Sequence, residues 1–161
     1  MSRYETGKLD GEFRSFPCAV SFSQNWTIPD IDHFRFEGEG EYEKAWENIE
    51  ELKQDLNGVS EERPFKSRHR LFGWPDPVEG DMQLECQLVA NGISYGKGYP
   101  NPMPELIKVG AKDWQLLLQI DTDEENPGWM WGDVGRIYYW IHKDDLAARR
   151  FENVRLFLQC S

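Results

Sequence analysis

The sequence predicts an α+β fold: an antiparallel β-sheet in the C-terminal third, with a long amphipathic helix packed on it. Three observations carry that expectation. The runs "WQLLLQID", "GRIYYWIH" and "NVRLFLQC" alternate side chains as half-buried strands do. From Glu41 to Asn57 the period changes, and Tyr42, Ala45, Trp46, Ile49, Leu52 and Leu56 fall three and four residues apart in a helical stripe. The 161 residues are 39% hydrophobic and 14% aromatic, enough for a domain with its own core and too aromatic for a disordered chain.

Taken in order, residues 1–16 read as a peripheral start, and "CAVSFSQNWTIP" as a strand closed by Pro29. The helix over 41–57 follows, with Gly58 as its stop. In "SEERPFKSRHRLFGWPDPVEGD", Pro75 and Pro77 fix φ and withhold donors, so this stretch is expected to be irregular. Residues 82–90 fit two templates. Met82, Leu84, Cys86 and Leu88 alternate like a strand, whereas Asp81 as a cap and Gly92 as a stop favour a helix, which is the preferred reading. Residues 91–110, rich in Gly, Pro and Asn, read as a long loop. "KDDLAARRFE" reads as a helical turn between the last two strands. All of this is assigned to one domain, 1–161.

Strict alternation divides the sheet into two faces. Trp114, Leu116, Leu118 and Ile120, with Ile137, Tyr139 and Ile141, and with Val154, Leu156, Leu158 and Cys160, form the expected core face. The other carries Gln115, Leu117, Gln119 and Asp121, then Arg136, Tyr138, Trp140 and His142, then Arg155, Phe157 and Gln159. Aromatics mixed with Arg and Gln are the composition of an interface. Arg136, Tyr138, Trp140, His142, Arg155 and Phe157 are therefore the candidate partner face. The competing reading has the helix from Glu41 covering it, since bare Trp140, Tyr138, Leu117 and Phe157 would be costly in water.

Net charge is −11, from 29 acidic against 18 basic residues. That field disfavours nucleic acid and anionic membrane surfaces, and fits either a basic protein partner or solubility alone. Cys18, Cys86 and Cys160 lie far apart, with no CxxC or Cys/His spacing for a metal. "MSRYETGKLDGEFRSF" has no apolar export core, and no run approaches ~18 apolar residues. The expectation is a cytoplasmic protein with reduced thiols, no metal and no cofactor.

The stretches "HRLFGWPDPVEGDMQLECQ", "AKDWQLLLQIDTD", "WMWGDVGRIYYWIHKDDLAARRF" and "LFLQC", in that order, resemble the YwqG-like family, a bacterial domain family of undefined biochemical function. The similarity runs from about His69 to the C-terminus, and more weakly back to about Ser21. Members are usually longer, so the resemblance implies the C-terminal part of the usual architecture, without the extra N-terminal portion. It also implies an α+β arrangement rich in antiparallel sheet, and supplies no catalytic residue.

Candidate chemistry is sparse. "DTDEEN" begins with the Asp121, Asp123 spacing of a calcium loop, but Asn126 and Gly132 stand where such a loop needs Gly and a bidentate Glu. Asp133, between glycines, suits a turn better than a catalytic base. No GxSxG occurs, and "GISYGKGYPNP", with Lys97, lacks the order of a phosphate loop. His69, beside Arg68 and Arg70 and near Asp76, is the one basic knot in an acidic chain. It suits a histidine tied into the loop by hydrogen bonds in preference to an anion or carboxylate site. Trp129 and Trp131 suit packing over the sheet edge in preference to an aromatic cage for a cation.

The function expected from these readings is non-catalytic protein binding, of a regulatory or immunity-like kind, with a basic partner and an undetermined oligomeric state. The alternative is a small-ligand or hydrolytic pocket built from His69, Arg70, Asp76, Gln119, Asp121, Trp129, Trp131 and Asp133.

Overall fold

The β-forming runs of the C-terminal third pair as their alternation requires. The computed structural model describes residues 18–33, 39–57, 68–94, 98–125 and 127–160. Its elements are α1 (Glu39–Asn57), β1 (Arg70–Leu71), α2 (Met82–Ala90), α3 (Glu105–Ala111), β2 (Trp114–Asp121), β3 (Arg136–His142), α4 (Lys143–Ala147) and β4 (Arg155–Gln159). Short 3-10 turns lie at Ile31–His33 and Phe151–Asn153. The sheet is antiparallel in the order β1-β2-β3-β4, so the fold is α+β.

α2 settles the ambiguity over 82–90 as a helix. Asp81 caps it, its Oδ1 accepting from the Gln83 and Leu84 amides at 3.0 and 3.1 Å, and Gly92 follows the last turn at φ 71°. Met82 and Cys86 enter the core beside Trp114, Leu116, Tyr138 and Trp140, with Phe157 half-buried against them. α2 is thus the helix whose side chains meet the sheet. The longer α1 lies against the Ile31–His33 turn, and its stripe leaves Tyr42, Trp46 and Leu52 between 40% and 49% exposed.

Two expectations need correction. Residues 18–30 join no ladder, and Val20, Phe22 and Trp26 are exposed; the apolar run has the composition of a strand without a partner edge. The expected loop over 91–110 contains the start of α3, which begins after Pro104 and buries Ile107 and Ala111. Gly110 masked this helix in the sequence. A Cβ there would meet the Gln87 amide, the movable end of a side chain on α2. The expectations for residues 1–16, for Gly58 and for Lys97 lie outside the described residues.

One irregularity decides which face of the sheet is core. Leu116 pairs with Trp140, but Leu118 pairs with Tyr139, so Leu117 is an extra residue, a β-bulge. Past it the alternation in β2 changes phase: Trp114, Leu116, Gln119 and Asp121 are buried, while Leu118 and Ile120 are only half-buried. The expected core and partner faces are therefore exchanged along most of the sheet.

Candidate functional site

β1 positions the site. Arg70 lies opposite Gln119 in the ladder, and the chain leaving β1 folds over the α2 side of β2 and β3. Gln119, fully buried, ties both ends of that segment: its Nε2 donates to the Arg68 carbonyl at 2.7 Å and its Oε1 accepts from the Asp76 amide at 2.9 Å. The Asp76 carbonyl accepts from Tyr138 Oη at 2.9 Å and from Arg136 Nη1 at 3.0 Å. The Asp76 carboxylate is bonded by Arg68 and lies 3.8 Å from Arg136 Nη1.

Asp121, 1% exposed, is held in the same way. Its Oδ1 accepts from Arg136 Nε at 2.9 Å and from the Thr122 amide at 3.0 Å, and its Oδ2 accepts from the Arg68 amide at 2.9 Å. Its own amide donates to His69 Nδ1 at 3.0 Å, which puts the neutral ring's proton on Nε2, 3.4 Å from Asp123 Oδ2. Arg70 donates to the Trp74 carbonyl at 2.9 Å.

The electrostatics follow from burial against pairing. Burial pushes the Asp76 carboxyl up, but the Arg68 hydrogen bond and the charges of Arg68, Arg136 and Arg70 outweigh it and hold it below the usual range. Burial pulls Arg136 down, and Asp76 and Asp121 more than restore it. For Arg70, burial prevails over the nearby Asp76 and its guanidinium is lowered. Burial pushes the Tyr138 phenol up to about 12, against the pull of Arg136. Two buried carboxylates held by arginines make a clasp between a loop and a sheet.

The hairpin between β2 and β3 closes over one end. Asp123 and Trp129 form an isolated bridge, and Trp131 Nε1 donates to the Asp121 carbonyl at 3.1 Å. The two indoles sit 5.8 Å apart at 43°, and His69 meets Trp129 edge-on at 6.1 Å. They pack on each other, half-buried. Asp133 stands apart, exposed in the turn where Gly132 and Val134 adopt φ 61° and 50°.

Of the expected ligand set, His69, Arg70, Asp76, Gln119 and Asp121 therefore gather, Trp129 and Trp131 flank them, and Asp133 does not join. Arg68, Thr122, Asp123 and Arg136 complete the cluster. Their part comes from contacts between distant segments, and no local motif marks it.

The expected partner face is corrected by the same geometry. Tyr138 and Trp140 are 0% and 1% exposed beneath α2, and the Arg136 side chain is 15% exposed inside the clasp. Phe157 packs on the core, His142 caps α4 by accepting from the Asp144 amide at 3.3 Å, and only Arg155 is exposed. The open side is the other one. There Leu71, Leu118, Tyr139 and Leu156 align across the four strands, and Ile120, Ile137 and Leu158 form the next row. Leu71, Leu156 and Leu158 are 51% to 55% exposed.

A family model described as a domain of unknown function, DUF1963, matches residues 7–160. The chain belongs to the DUF1963 family. The DUF1963 match takes in the clasp, the helices and the open sheet face together. No curated protein matches this DUF1963 chain significantly. Among the described residues, no group of three or more His, Cys, Asp or Glu side chains is placed to hold a metal ion. Among them, too, no helix is long and apolar enough to cross a membrane.

Proposed function

We propose that this domain binds another protein through the open face of its sheet and performs no chemistry of its own. The observation that carries this reading is the double apolar row ending in exposed Leu71, Leu156 and Leu158. A continuous apolar surface is costly in water and is relieved by a partner. The charge of −11 favours a partner with a basic rim around an apolar centre, because opposite fields speed encounter and reject like-charged competitors. A regulatory or immunity-like role in the bacterial cytoplasm belongs to this reading, as does the YwqG-like resemblance.

The test is affinity capture from a bacterial lysate, with the native chain and the Leu156→Lys/Leu158→Lys double variant as parallel baits. Basic proteins retained by the native chain, lost with the variant and weakened by added salt are the expected result. Equal retention by both baits would overturn the reading.

A second reading is favoured by the convergence of His69, Asp121 and Asp123 beside Trp129 and Trp131, a small-ligand edge next to the clasp. A metabolite panel that raises the melting temperature of the native chain, and not of His69→Phe, would support it.

A further inference from the structure

Behind the clasp, between the loop and the start of α2, lies a cleft lined by Trp74, Pro75, Pro77, Met82 and Trp140, with Asp30 and Asp81 also in its wall. It offers about 20 Å³ for the centre of a water-sized group, enough for a single carbonyl oxygen. Trp140 is 1% exposed, and among the described residues its Nε1 is the buried side-chain polar atom without a hydrogen-bond partner. An indole N–H can only donate, and a buried donor left unpaired is unfavourable. Among the described residues no atom accepts from it, and the cleft that Trp140 lines gives an acceptor a route to it.

The walls restrict what that acceptor is. Asp81, which caps α2, and Asp30, paired with Lys53, stand in the wall with His33, and the lining holds no Lys or Arg to pair with a carboxylate or phosphate. Trp74, whose ring meets His33 edge-on at 4.5 Å, and the two prolines present an apolar flank. We propose that the cleft binds a small neutral amide, its carbonyl oxygen accepting from Trp140 Nε1 while its alkyl part lies along Trp74 and Pro75. This site is on the helix-covered side of the sheet and stands independently of the open-face interface.

The test is an indole N–H spectrum of the ¹⁵N-tryptophan-labelled full chain, titrated with N-methylacetamide and, separately, with acetate. The Trp140 signal is assigned by its absence in Trp140→Phe. If that variant does not fold, contact between the indole proton and the labelled Met82 methyl assigns it in the native chain. The expected result is a saturable downfield shift of the Trp140 signal with N-methylacetamide. A dissociation constant on the order of 10 mM suits so few heavy atoms. Acetate should leave the signal in place. A Trp140 signal that stays put with the amide, including one that shows only contact with a water, overturns the proposal. An equal response to acetate overturns it as well.

Discussion

Gln119 grips Asp76 by its main chain, accepting the Asp76 amide proton at 2.9 Å from the floor of the sheet. The opposite end of the same side chain holds the Arg68 carbonyl, so one amide group serves two buried backbone atoms. Gln119→Leu keeps the bulk and removes both bonds. It should lower stability by about 2–4 kcal/mol, measured by urea denaturation, because two desolvated groups lose their partners. Tyr138→Phe should cost about 1 kcal/mol, since Arg136 still donates to the Asp76 carbonyl.

The acid limb of stability should depend on Asp76. Its folded carboxyl is held below 3.8, so as pH falls the unfolded chain takes up this proton first. The stabilisation is complete above 3.8 and is lost as pH drops through the lower folded value. Denaturation of the native chain and of Asp76→Asn over a pH series checks this. The stability gap between them should be widest near neutrality and shrink below about pH 4. A gap independent of pH would mean that Asp76 is not charged in the fold.

The two faces of the sheet should answer differently to truncation. Leu116, 2% exposed beneath α2, should cost about 2–5 kcal/mol as Leu116→Ala. Leu158, 51% exposed on the other side, should cost less than about 1 kcal/mol as Leu158→Ala. Binding of the apolar dye ANS should fall in Leu156→Lys/Leu158→Lys with little change in melting temperature.

The thiols should also separate by exposure. Cys18 is exposed, whereas Cys86 is fully buried and its thiol is pushed far up by burial, with Glu85 and Asp81 adding to the effect. Cys18 should react with DTNB in the native protein, and Cys86 only after denaturant is added.

The elements built on local periodicity were legible in the sequence. The helical stripe of α1, the Asp81 cap of α2 and the strands of the C-terminal third all follow from spacing and capping chemistry. The face assignment was not legible. Leu116, Leu117 and Leu118 are identical in hydropathy, so nothing local marks the extra residue among them. The inward placement of Gln119, Asp121 and Arg136 also contradicts simple polarity. Their burial is tolerated because Arg68 and Asp76, from a different part of the chain, complete their hydrogen bonds. The site residues His69, Asp76, Gln119 and Asp121 could be named as a set from residue type. That they hold one another emerges only from the tertiary contacts.

Leu117 leaves this strand with no spare length. Deleting it would straighten the pleat and rotate everything downstream by half a turn, carrying Gln119 and Asp121 toward water and stranding Arg136 in the interior. A second insertion would do the same in the opposite sense. Natural variants of this domain should therefore conserve the residue count of that strand.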